Sequence, residues 1–168
     1  MKDIKRSGWV KRNIKNAESV SDHSFRVALF AMIYAKQLNL NVEKCLKIAL
    51  LHDIHEVYTG DIILTKTNEK QKFRKEKKAI KNISKLLPKE NGKEILSLWE
   101  ELHAAHTNEA KLVRDLDKIE MLLQALEYKK SNRTKHSLQE FFDSTEKMLK
   151  TKKAKELFSE IKREFDRI

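Results

Sequence analysis

The sequence predicts an all-α protein, a single helical bundle of six to eight helices that spans residues 1–168. Only three glycines and one proline interrupt the chain, whereas Lys, Glu, Leu and Ala are abundant. This composition is typical of helices joined by short connections. No segment alternates apolar and polar residues over the length of a strand, and no internal repeat or linker divides the chain into two domains.

Caps and apolar spacing predict the helices of the first third of the chain. Residues 1–17 hold a basic cluster and are expected to be partly loop. Ser19 or Ser21 then offers an N-cap for a helix that runs to about Leu38. The following segment, residues 42–57, is apolar on most sides, which predicts a helix in the centre of the core.

The remaining helices are expected at residues 67–87, 92–105 and 107–128 and from residue 137 onward. Pro88 ends the first of these, because its ring and its missing N–H prevent the helix from continuing. Thr107 is expected to cap the helix at residues 107–128. The last segment has the pattern of one or two amphipathic helices.

The net charge of +11 is concentrated in one stretch of the chain. Between Lys66 and Lys93 there are eleven Lys or Arg residues against three acids. Such a run forms either the solvated face of a helix or a surface that attracts an anionic partner, a nucleotide or a nucleic acid. Because Phe73 is the only aromatic residue in the run, a stacking platform for single-stranded nucleic acid is not expected.

A membrane or secreted location is not expected for this chain. No stretch approaches the roughly 20 apolar residues that span a bilayer, and the first residues lack the apolar region of a signal peptide. Cys45 is the only cysteine, so no disulfide can form within the chain. A reduced, cytoplasmic setting is therefore expected, without a membrane partner.

Acids and histidines in otherwise apolar helical segments are the most informative feature. They are His23, His52, Asp53, Glu56, Asp61 and Asp117. Buried charges are costly unless they pair or bind a metal. Glu56 follows His52 by four residues and Asp53 by three, so a continuous helix would place the three on one face. His23 and Asp117 are the natural donors from other helices, and this mixed set of nitrogen and oxygen ligands suits Mn, Co, Fe, Zn or Mg.

Each residue taken singly has a simpler interpretation. His23 could be a hydrogen-bonded core histidine, and Asp117 could pair with a basic neighbour in its helix. His55 is expected to point away from the face of His52 and Glu56, while His103 is expected to be exposed near a helix end. The sequence contains no Gly-rich phosphate loop, no Cys pair for zinc and no serine nucleophile elbow.

Three segments together resemble the HD-domain 5'-deoxynucleotidases, which are metal-dependent phosphohydrolases acting on deoxyribonucleoside 5'-monophosphates. The segments are Arg6–Ser24, Ala49–Ile62 and Leu112–Tyr128. They carry the patterns ES-V-S-D-H, HD-x-x-E-x-x-x-GD and LD-x-x-E-M in the order and spacing of that family. The resemblance extends over nearly the whole chain and implies a single HD domain at residues 1–168.

The resemblance also implies roles for individual residues. The four metal ligands would be His23, His52, Asp53 and Asp117. Glu56 matches the catalytic acid or base and Asp61 an acid beside the substrate, and a second cation is implied at Glu56, Asp61 and the carbonyl of Ile62. The cofactor would be a divalent cation, with Mn, Co or Mg favoured over Zn or Fe.

The same resemblance implies the substrate-binding residues and the oligomeric state. Trp9 matches an aromatic residue near the nucleotide. Some relatives carry the phosphate-binding arginine directly before that tryptophan, where this chain has Gly8, so either Arg6 or Arg12 could take the role. The resemblance also implies a homodimer, because members of that family look like homodimers.

The leading hypothesis is hydrolysis of a deoxyribonucleoside 5'-monophosphate by metal-activated water. One alternative is an HD phosphohydrolase for another nucleotide, such as a dNTP, a cyclic nucleotide or an alarmone. The other is a non-catalytic helical protein that binds nucleic acid through Lys66–Lys93, with a structural metal. Nucleic acid is the less favoured partner because a structural site does not need Glu56 and Asp61 beside it.

Overall fold

The computed structural model describes residues 1–63, 65 and 67–168, which form helices and no strand. The helices are α1 (Ser7–Val10), α2 (Val20–Gln37), α3 (Val42–Leu51), α4 (Glu56–Thr59), α5 (Glu69–Lys85), α6 (Lys89–Ala104), α7 (Asn108–Lys130), α8 (Gln139–Glu146) and α9 (Lys152–Arg167). Two of them, α1 and α4, have only four residues. The all-α prediction is confirmed. Lys66, the first residue of the basic stretch, lies outside the described residues.

Side-chain caps define where the helices of the site begin. The Ser19 hydroxyl accepts from the backbone N–H of Asp22, and the Asp22 carboxylate accepts from the backbone N–H of Ser19. This reciprocal pair satisfies two N–H groups that the first turn leaves without partners. Ser19, and not Ser21, is therefore the cap of α2. Thr107 caps α7 by accepting from the N–H of Ala110, as the sequence predicts.

The prediction of one continuous helix at residues 42–57 is wrong. Helix α3 ends at Leu51, and turns separate it from α4. His52 Nδ1 lies 2.6 Å from the carbonyl oxygen of Ala49. The imidazole nitrogen thus takes the place of the backbone N–H that would bond this carbonyl in a continuing helix. The next backbone N–H groups, those of Ile54 and Glu56, bond three residues back instead of four, which is the tighter 3₁₀ pattern.

Helix α7 lies at the centre of the molecule and packs against α2, α3, α6, α8 and α9. One of its sides buries Leu112 and Leu116 against Val27 and Ile48 of α2 and α3. Another side packs against α8, α9 and the N-terminal segment in a second core cluster. Each such fully buried aliphatic side chain contributes about 1.5–3 kcal/mol to folding. The candidate site lies where α2, α3 and α7 meet.

Helix α5 is the basic helix and is strongly amphipathic. Its buried side chains are Ala79, Ile80, Ile83 and Glu76, and they face α6, while most of its lysines are on the outside. Pro88 precedes α6 and acts as its N-cap. Among the helices of the described residues, none combines the length and the apolar character that a bilayer span requires.

Candidate metal centre

Two histidines and two aspartates from three helical segments converge on one point. His52 Nε2 lies 3.2 Å from His23 Nε2 and 3.1 Å from Asp53 Oδ2. His23 Nε2 lies 3.1 Å from Asp117 Oδ1 and 3.8 Å from Asp53 Oδ2. The ligand atoms of His23, His52 and Asp53 all come within 4.8 Å of one another. The predicted convergence of α2, α3 and α7 therefore exists in the folded chain.

The hydrogen bonds behind the two imidazoles leave both Nε2 atoms directed at this point. His52 Nδ1 is bonded to the carbonyl oxygen of Ala49, which can only accept. His23 Nδ1 is bonded to the buried carboxylate of Glu120. Histidines that bind metals are held in this way, with the second nitrogen bonded to a carbonyl or a carboxylate. Two imidazole nitrogens and two carboxylates then face one another, and this set of residue types fits a divalent cation that would replace the ring protons.

The pKa values report how strongly this pocket favours positive charge. Burial lowers the pKa of His23, but hydrogen bonds with Asp117 and Glu120 outweigh it and raise that pKa to about 10. Burial likewise opposes ionisation of Asp53, yet the adjacent His52 holds the pKa of Asp53 well below its ordinary value. The carboxylates of the cluster therefore remain ionised near neutral pH, as metal ligands must be.

Glu120 is the acid of the LD-x-x-E-M pattern, to which the resemblance gave no separate role. It is fully buried, and besides His23 it contacts Arg26, whose Nε donates to Glu120 Oε1 at 2.8 Å. Arg26 also donates to Glu127 at 2.9 Å and to Gln124 at 2.7 Å, which holds its guanidinium along α7. The pattern itself indicates this position, because its acid follows Asp117 by three residues and so lies on the same side of a mostly apolar helix.

Glu56 is buried at the start of α4. Its Oε2 atom has no hydrogen-bond partner among the described residues. Burial, together with the nearby carboxylates of Asp53 and Asp61, raises the pKa of Glu56 to about 9. A buried polar atom without a partner is rare in folded proteins, so this oxygen is available to a ligand or a water.

Asp61 and Ile62 lie in the segment after α4 and are held by other parts of the chain. Asp61 Oδ2 accepts from the backbone N–H of Ser7 at 2.6 Å, and the Ser7 hydroxyl donates to the Asp61 carbonyl at 2.6 Å. The carbonyl oxygen of Ile62 accepts from Lys72 Nζ at 2.7 Å. The oxygen predicted for a second cation is thus bonded to an ammonium group.

The two candidate arginines have different surroundings. Arg6 Nη1 donates to Asp53 Oδ2 at 3.1 Å. Burial alone would lower the pKa of Arg6, but Asp53 and Asp117 raise it above its ordinary value. Arg12 instead pairs with Glu140 of α8 and lies 4.2 Å above the ring of Phe141. Arg6 therefore lies at the donor cluster, whereas Arg12 is engaged by Glu140 on the surface of α8.

Trp9 is part of the core. Only 1% of this residue is exposed, and its ring packs edge-on against Tyr128 with centroids 5.3 Å apart. Its indole N–H donates to Glu18 at 2.8 Å. Burial and the nearby Glu120 raise the pKa of Glu18 to about 7. Glu18 in turn lies within 4.8 Å of the ligand atoms of His23 and Glu120, so Trp9 packs in the core behind these buried side chains.

A cavity of about 970 Å³ opens beside the cluster and extends between α5 and α6. His52, Asp53 and Asp117 line one part of it, and His55 and His103 line another. Its wall near α5 and α6 carries a second polar cluster around the buried Glu76. The Glu76 carboxylate lies 3.3 Å from His55 Nε2, 3.5 Å from His103 Nε2 and 3.4 Å from Lys72 Nζ.

The positions of His55 and His103 depend on this contact with Glu76. His55 is buried with its Nε2 atom toward α5, away from the four converging donors. The expectation that His103 is exposed is wrong. Its ring packs on Trp99, with centroids 3.9 Å apart, and is half-buried because α5 covers this end of α6. Glu76 of α5 joins His55, which precedes α4, to His103 of α6, so no single segment of the sequence indicates these contacts.

The fold and the donor cluster define an all-α protein of the HD domain class. The HD domain family model matches residues 1–158, so the chain belongs to that family and the predicted HD-domain fold is confirmed. The chain is 41% identical to 5'-deoxynucleotidase HDDC2 from Mus musculus over 98% of its own length and 82% of that protein. It is 42% identical to the protein of the same name from Dictyostelium discoideum over 86% of its length and 82% of that protein.

Solved structures resemble the fold over almost the whole chain. A conserved hypothetical protein from Pyrococcus furiosus is 36% identical, with a TM-score of 0.78 over 96% of this chain and 93% of that one. The PH0347 protein from Pyrococcus horikoshii OT3 is 30% identical, with a TM-score of 0.81 over 97% and 93%. A predicted metal-dependent phosphohydrolase from Magnetospirillum magnetotacticum MS-1 shares the fold at 23% identity, with a TM-score of 0.73 over 99% and 86%.

Proposed function

We propose that the chain is a 5'-deoxynucleotidase, which hydrolyses deoxyribonucleoside 5'-monophosphates to a deoxynucleoside and phosphate with a divalent cation as cofactor. The convergence of His23, His52, Asp53 and Asp117 on the wall of an open cavity is the observation that carries this proposal. A structural metal site would need no cavity beside it. Relatives that share 41% of the sequence over nearly the whole chain are named for the same activity.

We assign the cation to those four residues and the phosphate to Arg6. When bound by these residues, a divalent cation would supply Lewis-acid chemistry, polarising a phosphoryl oxygen and making water a better nucleophile. Arg6 donates to Asp53, so its guanidinium stands beside the cluster and can bind two phosphate oxygens at once. Its charge would hold the phosphate in one orientation while the reaction proceeds, which lowers the entropic part of the barrier.

Proton transfer is assigned to Glu56, with Asp61 beside it. The unpartnered Oε2 of Glu56 can take a proton from the attacking water or give one to the leaving 5'-oxygen. A correctly placed acid or base of this kind contributes about 10²–10⁴ to the rate. Neither a Ser nor a Cys side chain belongs to the four-donor cluster in the described part of the chain, which favours direct attack by water.

A substrate and metal screen tests the proposed activity. Phosphate release is measured with the four deoxyribonucleoside monophosphates, dATP, a cyclic nucleotide and ribonucleoside monophosphates, each with Mn, Co, Mg or Zn and with a chelator control. The expected result is chelator-sensitive release that is fastest with the deoxyribonucleoside monophosphates. Faster turnover of dATP or the cyclic nucleotide would assign the site to another phosphohydrolase reaction. Salt-sensitive binding of DNA without any turnover would favour the nucleic-acid-binding alternative.

We further propose that the chain forms a homodimer through α2. Apolar side chains at helical spacing, Phe25, Leu29, Met32 and Ile33, are exposed along one face of this helix. Asp22 and Lys36, also exposed, lie seven residues to either side of Leu29 on the same face. An antiparallel pairing of two α2 helices about Leu29 would place each Asp22 opposite the partner copy's equivalent of Lys36. A two-fold axis requires this self-complementarity.

The oligomeric state of a Leu29→Lys variant tests the dimer. Two lysines would meet at the two-fold axis, so the variant should elute and scatter light as a monomer while the natural chain is a dimer. Leu86→Lys is the matched control, because Leu86 is exposed at the end of α5, away from this face. A monomeric natural chain, or a Leu29→Lys variant that remains a dimer, would contradict the α2 interface.

A further inference from the structure

We infer that the ring of Phe73 is the platform on which the substrate base stacks, so that the cavity between α5 and α6 is the base subsite. This inference rests on the proposed function and names the part of the nucleotide that this end of the cavity holds. Phe73 is the single aromatic residue within the basic stretch Lys66–Lys93, too few for a single-stranded nucleic acid but enough for one base.

The position of Phe73 on α5 differs from that of the core residues on the same helix. Phe73 precedes Glu76 by three residues and Ile80 by seven, so it continues the face that α5 turns toward α6. Glu76 and Ile80 are buried, yet 41% of Phe73 is exposed. The α6-facing side of α5 therefore continues beyond the buried core, and there Phe73 lines the cavity.

The ring of Phe73 is supported from behind by a rigid aromatic group. It stacks on Trp99 with centroids 5.7 Å apart and an angle of 24° between the rings. Trp99 is 2% exposed and is held in a small core cluster with Ile80 and Ile83. His103 packs against both aromatic rings, at 5.4 Å from Phe73 and 3.9 Å from Trp99. Phe73 therefore borders the cavity with a supported ring of which a large part remains exposed.

The same cavity leads from Phe73 to the four-donor cluster. His52, Asp53 and Asp117 line it together with Phe73 and Trp99. A nucleotide whose phosphate lies at the cluster therefore has its base directed along the cavity. The lining carries five basic side chains, Lys70, Lys72, Lys77, Arg114 and Lys118, and five acids, Asp53, Glu69, Glu76, Glu100 and Asp117. Because Lys72 pairs with Glu76 and Lys77 with Glu100, the base subsite rests on the ring of Phe73 and not on net charge.

An aromatic platform recognises the presence of a base more than its identity. Every base has a π-face, and stacking on an aromatic side chain tolerates all of them. The subsite therefore predicts small differences among the four deoxyribonucleoside monophosphates. It also predicts a large difference between any of them and 2-deoxyribose 5-phosphate, which has the same sugar and phosphate but no base.

Variants at Phe73 separate stacking from packing. Phe73→Ala should raise the KM for dAMP about tenfold, which matches the lower part of the range for loss of one stacked base, and leave kcat within about twofold. Phe73→Leu keeps apolar volume without an aromatic face and should behave like Phe73→Ala. Phe73→Trp should retain the natural KM. For 2-deoxyribose 5-phosphate the KM should be the same in all four proteins.

Calorimetric titration of the Mn-loaded proteins makes the subsite testable apart from turnover when each protein also carries Glu56→Gln, so that bound dAMP is not hydrolysed during the titration. With Phe73 intact, dAMP should bind at least about tenfold more tightly than 2-deoxyribose 5-phosphate, and Phe73→Ala should remove that difference. Equal weakening for both ligands, or no change for either, would overturn the base subsite. Tight, Phe73-dependent binding of dAMP, with no phosphate release by the natural chain, would support the subsite and reject the proposed hydrolase activity.

Discussion

Asp117 and His23 are 94 residues apart in the sequence, yet Asp117 Oδ1 lies 3.1 Å from His23 Nε2. Three residues further along α7, Glu120 bonds the other nitrogen of the same imidazole. One turn of α7 therefore contacts both nitrogens of His23. The ring cannot rotate without breaking one of these contacts, so α7 determines which nitrogen faces the cluster.

Replacement of Asp117 tests whether it is a metal ligand. Asp117→Ala should weaken metal affinity by more than the roughly 10- to 100-fold that loss of an outer partner costs, and it should abolish turnover. Helix content should hardly change, because the Asp117 side chain is 34% exposed and lies outside the apolar core. Metal content after dialysis and far-ultraviolet circular dichroism measure the two effects. Asp143→Ala, at an exposed acid of α8, is the control, and full metal content in Asp117→Ala would remove Asp117 from the centre.

Replacement of Glu120 tests its positioning role behind His23. Glu120→Gln removes the charge that holds the imidazole, so metal affinity should fall about 10- to 100-fold. The matched control is Glu127→Gln, because Glu127 also pairs with Arg26 but has no contact with His23. Competition with a metal-binding dye measures both affinities. If the two variants lose affinity equally, the effect comes from Arg26 and not from His23.

Replacement of Glu56 separates proton transfer from metal binding. Glu56→Gln keeps the shape of the side chain but cannot act as an acid or base, so kcat should fall about 10²–10⁴-fold. Metal content should stay at the natural level, since the four converging donors are other residues. A variant that loses its metal would make Glu56 a ligand instead.

The roles of the two candidate arginines can be ranked by one comparison. Arg6→Ala should lower kcat/KM by about 10- to 100-fold, because a charged hydrogen bond contributes about 1.5–3 kcal/mol. Arg12→Ala should lower it much less, since Arg12 is engaged with Glu140. Initial rates over a range of dAMP concentrations give both values. The reverse ranking would transfer the phosphate-binding role to Arg12.

The cluster around Glu76 makes stability depend on pH. Burial opposes ionisation of Glu76, but hydrogen bonds from His103 and His55 outweigh it and hold its pKa well below the ordinary 4.5. The ionised carboxylate therefore stabilises the fold above about pH 4.5, and this contribution shrinks as pH falls toward the lower folded-state pKa. Glu76→Gln should cost about 2–4 kcal/mol at neutral pH, because it leaves His55 and Lys72 without their anion.

Urea unfolding of the natural chain and of Glu76→Gln measures this cost as a function of pH. The difference in free energy of unfolding should be largest near neutral pH and decrease below about pH 4.5. Glu94→Gln serves as the control, because Glu94 pairs with Lys47 on the exposed surface and should change stability by less than about 1 kcal/mol. A difference that stays constant down to acid unfolding would exclude Glu76 as the titrating group.

Features that depend on neighbouring residues in the sequence were predictable. Ser19 and Thr107 cap the helices where the sequence indicates, because a cap is a local hydrogen bond between a side chain and the following turn. The end of α3 was not predictable from its apolar pattern. That pattern continues through residue 57, but the imidazole of His52 bonds back to Ala49 and the chain tightens into turns.

By itself the sequence determined an all-α chain and the residue types of a metal centre. Helix composition, caps and the order of the His and Asp motifs depend only on residues that are close together or ordered along the chain. Only the tertiary structure decided that Glu120 holds His23, that Arg6 reaches Asp53 and that Glu76 joins His55 to His103. Each of these pairs connects different helices, and their contact depends on how the buried faces pack. Side chains far apart in sequence meet only when the apolar surfaces of α2, α3 and α7 are removed from water together.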